Sequence, residues 1–199
     1  MAEGLGCTVI GIDASRAMVE QAHRFHAHPR VSYVQSTAEH LPLARGSADM
    51  ILASMVLQHI PDRAQFFREL ARVLCPRGVV VIDSLFADDL PELEFYRFFP
   101  RARALDAERF PAGCEIVVLG EQHGFRVAVT FRTRYPHDVS LADFAARIRQ
   151  RPFSTFQLLS EREVSTGLAE LDAAVLAQGE ARPIDEVMDR MVLILADPL

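Results

Sequence analysis

The chain has 199 residues, of which 50% are hydrophobic and 24% charged, a composition and length that predict one globular domain with a buried core. Its formal net charge of −6 argues against a nucleic-acid partner, because binding to phosphates needs a positively charged surface. The sequence has no apolar run long enough to cross a bilayer and no signal-type N-terminus, so we expect no membrane partner either.

The three cysteines, Cys7, Cys75 and Cys114, are odd in number, widely spaced and without a CxxC pair. This pattern indicates neither a disulfide framework nor a zinc site, and it favours a cytoplasmic location. Three histidines are closely spaced at positions 23, 26 and 28, but no cysteine or acidic residue nearby completes a ligand set. We therefore predict no metal site.

The first half of the chain alternates strand and helix patterns. Short apolar or β-branched runs predict strands at 8–12, 31–34, 50–53 and 79–82. Helical periodicity predicts a helix over 16–25, with Ser15 as its N-cap, and another over 62–74 that Pro76 and Gly78 end. This alternation predicts an α/β fold with a mostly parallel sheet, right-handed crossovers and helices on both faces.

The second half, from about 91 to 199, has a different order. We expect a helix over 113–124, a strand over 126–135, helices over 141–150 and 160–178, and a last strand over 191–196. The acids at 161–163 suit the first turn of a helix, where negative charge is stabilised by the helix dipole. Strand, helices and strand together predict a hairpin at the sheet edge, with a helical lid inserted at about 137–183.

Ligands of parallel sheets bind beyond the carboxyl ends of the strands. Asp13 follows the first predicted strand, and an acid there can accept hydrogen bonds from both hydroxyls of a ribose. Nicotinamide-dependent dehydrogenases use the same arrangement, and an aspartate at this point can also simply cap the next helix. Asp13 alone therefore leaves these alternatives open.

Several spaced segments, read together, are more specific. They are Val9-Ile-Gly-Ile-Asp-Ala-Ser15 with Met18, Ala38-Glu-His-Leu-Pro42, Ser47-Ala-Asp-Met-Ile51, Val56-Leu-Gln-His-Ile-Pro-Asp62 and Leu70-Ala-Arg-Val-Leu-Cys-Pro-Arg-Gly78. In this order and spacing the chain resembles class I S-adenosylmethionine-dependent methyltransferases that act on small molecules. The resemblance implies a Rossmann-like fold, S-adenosyl-L-methionine as the cofactor and a small-molecule methyl acceptor.

The resemblance also implies cofactor contacts, at Asp13, Ala14, Met18, Thr37, Ala38, Glu39 and Ser54. Asp13 would hold the ribose, Met18 would pack on the adenine, and Ser54 would lie near the methionine part. Thr37 departs from the family pattern, in which an aspartate is usual, and an uncharged hydroxyl makes a weaker contact.

His59 is the candidate general base if the acceptor is a hydroxyl, and its alternative role is structural, at the start of a helix. Other charged residues follow the strands or lie in the second half: Asp83, Asp88, Asp89, Arg97, Arg101 and Arg103. The acids suit either a pocket wall or a solvated loop. The arginines suit either an anionic substrate or a solvated basic face.

The family pattern begins with a central strand and a glycine-rich turn, and the sequence before 8–12 supplies neither. We therefore expect a Rossmann-like sheet that lacks its first, central strand and the glycine loop. One hypothesis is a truncated or mis-started methyltransferase with impaired activity. The alternatives are a non-catalytic binding or regulatory subunit, completed by a partner or a second copy, and, less well supported by the motifs, an oxidoreductase.

Overall fold

A computed structural model describes residues 6–179 and 183–196. The strands are β1 (Val9–Asp13), β2 (Val31–Gln35), β3 (Ala48–Ser54), β4 (Leu74–Ser84), β5 (Arg126–Ser140) and β6 (Pro183–Ala196). The helices are α1 (Arg16–Phe25), α2 (Arg63–Val73), α3 (Glu94–Phe98), α4 (Pro100–Arg109), α5 (Gly113–Gln122), α6 (Leu141–Ile148) and α7 (Glu161–Gln178). The predicted strands and helices are all present in the predicted order, but β4, β5 and β6 are each longer than predicted, and α3 and α4 are additional.

The strands form two sheets. β1 and β2 pair in parallel, with Asp13 opposite Gln35. The second sheet has the order β3-β4-β6-β5, in which β3 and β4 are parallel and β6 is antiparallel to both of its neighbours. Among the described residues, no strand joins β1 to β3. The sheet is therefore divided at the position where the resemblance places a central strand.

The junction between α2 and β4 differs from the prediction. The helix already ends at Val73, and Pro76 and Gly78 lie inside β4 instead of ending the helix. The register between β3 and β4 shifts here, and Arg77 adopts a left-handed φ of 69°. Such a bulge accommodates Pro76, which has no N–H to donate to the neighbouring strand.

The second sheet carries a well-packed core, whereas the β1–α1–β2 unit does not. No residue of β1, α1 or β2 is buried. Apolar side chains are exposed on β1 and β3, each of which is an edge strand of its sheet: Ile10 is 44% exposed, Met50 44% and Leu52 43%. The loop after β2 reaches the core of the second sheet through Ala38 and Leu41.

The chain between β5 and β6 forms a helical insertion, which contains α6, the short turn Ser154–Leu158 and α7. The insertion falls within the range predicted for a lid, about 137–183, but residues 137–140 belong to β5 and residue 183 to β6. Residues 180–182 lie outside the described part of the chain, and the role of a lid stays a prediction. The insertion packs on α3 and α4 around an aromatic cluster. In this cluster the Phe95 ring centroid lies 4.9 Å from that of Phe153, 5.0 Å from Phe99 and 5.2 Å from Phe156.

Gly167 in α7 lies against the chain between α3 and α4 and leaves no room for a side chain. A Cβ at this position would lie 2.6 Å from the carbonyl oxygen of Phe98 and closer still to the ring of Phe99. We expect Gly167→Ala to lower the free energy of unfolding by about 1–3 kcal/mol, because overpacking outweighs the better helix propensity of alanine. Chemical denaturation would measure this loss.

The matched control is Thr166→Ala, one residue away on the exposed side of α7. This variant should unfold like the wild-type protein. A Gly167→Ala protein that is more stable than wild type would show that α7 does not press against α3 as described.

In the described part of the chain, no helix is both long and apolar enough to span a membrane.

Candidate functional site at the carboxyl ends of the strands

Asp13, at the end of β1, has two roles available to its two carboxylate oxygens. Oδ1 accepts a hydrogen bond of 2.8 Å from the backbone N–H of Ser15. Oδ2 makes no hydrogen bond to any other described residue, and the side chain is exposed. The helix cap is Ser15 and not Asp13, so the capping role that the sequence left open for Asp13 is wrong. Asp13 holds the turn before the helix with one oxygen, and its other oxygen is open to a ligand.

The start of α1 presents an apolar surface beside this carboxylate. Ser15 caps the helix by accepting a 3.4 Å hydrogen bond from the N–H of Met18, whose side chain is 51% exposed. The carbonyl of Ala14 accepts from Gln35 Nε2 at 3.2 Å, so the turn after β1 is tied to the end of β2. Met18 is thus available to cover a flat apolar group.

The loop after β2 lies at the same carboxyl end of the strands as Asp13. The N–H of Ser36 donates to the carbonyl of Asp13 at 3.1 Å, which places this loop directly beside β1. Thr37 is exposed, with its Oγ1 3.4 Å from His40 Nδ1. Ala38 and Glu39 are half-buried, and the carbonyl of Glu39 accepts from Gln65 Nε2 of α2 at 3.1 Å.

A buried ion pair on α2 anchors this loop. Arg72 Nε donates to Glu69 Oε1 at 2.6 Å and Arg72 Nη2 to Oε2 at 2.7 Å, while the N–H of Leu41 donates to Oε2 at 2.8 Å. The same guanidinium donates to the carbonyls of Leu43 and Leu41. The hydrogen bonds from Arg72 lower the pKa of Glu69, burial opposes this, and the Leu41 N–H adds to it.

We expect Glu69→Gln to lower the free energy of unfolding by about 1–3 kcal/mol at neutral pH, because hydrogen bonds to a charged acceptor are replaced by neutral ones. The pKa of Glu69 is lowered on folding. Its contribution is therefore complete above the ordinary glutamate pKa of about 4.3 and is lost as the pH falls through the lower folded value. Urea unfolding over acidic to neutral pH would show the difference from wild type shrinking in that window.

The matched control is Glu20→Gln, which removes an exposed ion pair with Arg16. This change should alter the free energy of unfolding little at any pH, because ion pairs on the surface usually contribute little to stability. A Glu69→Gln difference that stays constant down to the acid limit would contradict the assigned role of the charge.

Ser54 and Asp83 lie at the carboxyl ends of β3 and β4. Ser54 Oγ donates to Asp83 Oδ2 at 2.9 Å, and the N–H of Met55 donates to the carbonyl of Asp83 at 2.8 Å. Met55 has a φ of 50°, a left-handed conformation that is uncommon outside glycine and that often marks a functional turn. Ser54 itself is exposed.

His59 ends the short turn Leu57–His59 and is exposed. Protein packed on one side of the ring lowers the pKa of His59, the Arg109 cation lowers it further, and the Asp13 carboxylate opposes both. The lowered pKa favours the neutral form of the imidazole, which can accept a proton.

The remaining sequence candidates have structural partners. Asp88 accepts from the N–H of Gly113 at the start of α5 at 3.0 Å, and Asp89 pairs with Arg132 at 2.6 Å. The three arginines each pair with a carboxylate: Arg97 with Glu94, Arg101 with Glu163 and Arg103 with Glu92. The described residues contain no group of three potential metal ligands.

Sequence reasoning missed three residues near this edge: Glu69, Arg72 and Arg109. Glu69–Arg72 and Asp106–Arg109 are acid–arginine pairs three residues apart on a helix, a spacing at which side chains meet. That spacing was visible in the sequence. What the spacing does not show is that both pairs are largely buried and reach across to other segments.

Comparison with known proteins finds similar sequences. Residues 1–82 match the family described as the methyltransferase domain. A malonyl-[acyl-carrier protein] O-methyltransferase of Enterobacter lignolyticus is 36% identical over 88 residues, which are 44% of this chain and 34% of that protein. A probable S-adenosylmethionine-dependent methyltransferase of Mycobacterium tuberculosis is 27% identical over 192 residues, 93% of this chain and 68% of that protein.

The fold has relatives among solved structures. A protein of Anabaena variabilis described as a methyltransferase from an antibiotic biosynthesis pathway superposes with a TM-score of 0.72. The two sequences are 22% identical, and the match covers 98% of this chain and 84% of that one. The mixed sheet with flanking helices is therefore a Rossmann-like fold. The chain spans about a third of the length of the Enterobacter relative and about two thirds of the Mycobacterium relative.

Proposed function

We propose that this chain, which belongs to the class I S-adenosylmethionine-dependent methyltransferases, transfers the methyl group of S-adenosylmethionine to a small-molecule acceptor in the cytoplasm. The observation that carries the proposal is a set of exposed groups at the carboxyl ends of β1 and β2. An open carboxylate oxygen on Asp13, the apolar side chain of Met18 and the hydroxyl of Thr37 lie there on consecutive connected segments.

The residues present fit the adenosine part of the cofactor. Asp13 Oδ2 would accept hydrogen bonds from the ribose hydroxyls, as a strand-end carboxylate does for other nucleosides. Met18 would cover the adenine face, beside Ala14, and the loop of Thr37, Ala38 and Glu39 would border its edge. Ser54, next to the Met55 turn, would lie near the methionine part.

When bound, S-adenosylmethionine would supply a methyl group attached to a positively charged sulfur. The nucleophile of the acceptor would form a bond to the methyl carbon, and the sulfur would leave as S-adenosylhomocysteine. The protein contributes mainly by placing the acceptor in line with this bond. His59 accepts a proton at its neutral ring nitrogen if the acceptor is a hydroxyl. The insertion, through α6 and α7, covers the acceptor and excludes water from it.

A second candidate is a non-catalytic, methyltransferase-like subunit completed by a partner or by a second copy of the chain. The observation that favours it is the division of the sheet, in which β1 and β3 are edge strands that each have a neighbour on one side only and carry exposed apolar side chains. Such edges readily pair with another strand. A partner strand there would supply the wall that faces Asp13.

The test is calorimetric titration of the purified chain with S-adenosylhomocysteine, beside light scattering of the same sample. We expect weak binding by the chain alone and stronger binding by a form that continues upstream in the reading frame or by a complex with a partner. Tight binding by the chain as a monomer would show that neither upstream residues nor a partner is needed to hold the cofactor. Absence of binding in every form would contradict the cofactor role.

Catalysis itself is tested by transfer of a labelled methyl group to a panel of small hydroxyl, amine and carboxylate acceptors. His59→Gln should reduce transfer to hydroxyl acceptors more than transfer to amines, which need less help from a base. A form that binds S-adenosylhomocysteine but methylates none of the acceptors would favour the second candidate.

A further inference from the structure

A buried carboxylate joins the body of the protein to the insertion. Asp106 of α4 is 6% exposed, and its Oδ2 accepts a hydrogen bond of 3.0 Å from the hydroxyl of Tyr96 in α3. Its Oδ1 accepts one of 2.7 Å from Oγ1 of Thr155, which is 4% exposed and lies in the insertion. The insertion is thus held by a polar contact as well as by its aromatic core.

Arg109, the last residue of α4, reaches the same place. Its Nη2 donates to Ser154 Oγ at 2.9 Å, its Nη1 donates to Thr155 Oγ1 at 3.4 Å, and Nη1 lies 3.6 Å from Asp106 Oδ1. The side chain is 17% exposed. One guanidinium therefore touches both hydroxyls of the insertion turn and the carboxylate beneath them.

The backbone of Arg109 is hydrogen-bonded to a part of the protein other than the insertion. Its carbonyl accepts a hydrogen bond of 3.1 Å from Nη2 of Arg63, and Arg63 Nε donates to the carbonyl of Leu57 at 3.4 Å. Leu57 begins the turn that carries His59. The contacts therefore run without interruption from the insertion, through Arg109 and Arg63, to the His59 turn.

We propose that Arg109 is a positioning residue that fixes the helical insertion and the His59 turn relative to each other around the acceptor. The planar fork of its guanidinium suits this task, because it holds the hydroxyls of Ser154 and Thr155 in fixed directions. The inference rests on the proposed function only in taking the space between the insertion and His59 as the acceptor site.

The electrostatics agree with this geometry. Two charged groups act on His59: the Arg109 cation at the end of α4 and the Asp13 carboxylate at the end of β1. The Arg63 cation, on α2, is paired with Glu115 at 3.2 Å. Loss of the charge on Arg109 should therefore raise the pKa of His59.

The test uses the whole chain and two variants. Arg109→Gln removes both the fork and the charge, whereas Arg109→Lys keeps the charge and loses the fork. Hydrogen exchange reports how firmly residues 151–160 are held, and NMR titration of the ring protons, assigned with His59→Gln, reports the pKa of His59. Neither measurement needs methyl transfer, so failure of the proposed function leaves this test intact.

For Arg109→Gln we expect exchange in residues 151–160 to accelerate about tenfold or more, the factor that loss of the two hydrogen bonds implies, and the pKa of His59 to rise. For Arg109→Lys we expect the faster exchange with the His59 titration close to wild type. Arg97→Gln, which breaks the exposed pair with Glu94, is the control and should change neither.

Wild-type exchange in both Arg109 variants would overturn the positioning role, as would an unchanged His59 titration in Arg109→Gln. If Arg109→Gln does not fold, Ser154→Ala replaces it, because this change removes one acceptor and leaves α4 untouched. It should accelerate exchange in the same segment, and exchange at the wild-type rate would overturn the proposal.

Discussion

Asp13→Ala is expected to lower the affinity for S-adenosylhomocysteine by about a hundredfold or more, in whichever form of the protein binds it. Two hydrogen bonds from ribose hydroxyls to the carboxylate would be lost, and each bond to a charged group contributes about 1.5–3 kcal/mol. Asp13→Asn should fall between the two proteins, because its amide oxygen can still accept from Ser15 and from one hydroxyl. Calorimetry measures all three affinities.

A change of stability at the start of α1, which Asp13 also contacts through the N–H of Ser15, requires its own control. Ser15→Ala removes the side-chain cap of α1, where Ser15 accepts from the N–H of Met18, and leaves the carboxylate in place. We expect it to lower stability by about 0.5–2 kcal/mol, as the loss of an N-cap does, without a comparable loss of affinity. Unchanged affinity in Asp13→Ala would refute the ribose role.

The first half of the fold could be predicted because its signals are local. The run that ends at Asp13, the cap at Ser15 and the amphipathic pattern of α2 each depend on residues a few positions apart, and the structure places strand, cap and helix there. Asp13 became a candidate from these boundaries, because side chains directly after parallel strands lie at the same end of the sheet. The other cofactor contacts were implied by the family resemblance. Their roles in binding stay predictions.

Helices α3 and α4 were not predicted, for a physical reason. In α3, Phe95, Tyr96 and Phe98 are all buried, and its five residues are too few to show a helical period in the sequence. α4 begins at Pro100 and buries only Ala102 and Asp106, which gives it little apolar pattern. Both helices depend on packing against the insertion, far away in the sequence.

The contacts around Arg109 could not be predicted for the same reason. Thr155 is 49 residues from Asp106, and Arg63 is 46 residues from Arg109. Spacing on one helix suggests that Asp106 and Arg109 meet, but only the tertiary fold brings a second segment to them. The division of the sheet is also non-local, because strand patterns do not state which edges pair.

Asp106→Ala is expected to lower the free energy of unfolding by about 3–5 kcal/mol, the cost of removing one partner from a buried ion pair. The change leaves the Arg109 cation without its carboxylate and takes the acceptor from the hydroxyl of Thr155. Chemical denaturation measures the loss. The control is Glu20→Ala, whose pair with Arg16 is exposed and should contribute at most about 1 kcal/mol.

The double variant Asp106→Ala with Arg109→Gln separates the two parts of this cost. If the unpaired cation causes most of the loss, neutralising it should restore part of the stability, so the double variant should be more stable than Asp106→Ala alone. A double variant that is less stable would show that Arg109 stabilises the insertion through Ser154 and Thr155 even without Asp106. If Asp106→Ala lowers the free energy of unfolding no more than Glu20→Ala does, the aromatic core alone holds the insertion.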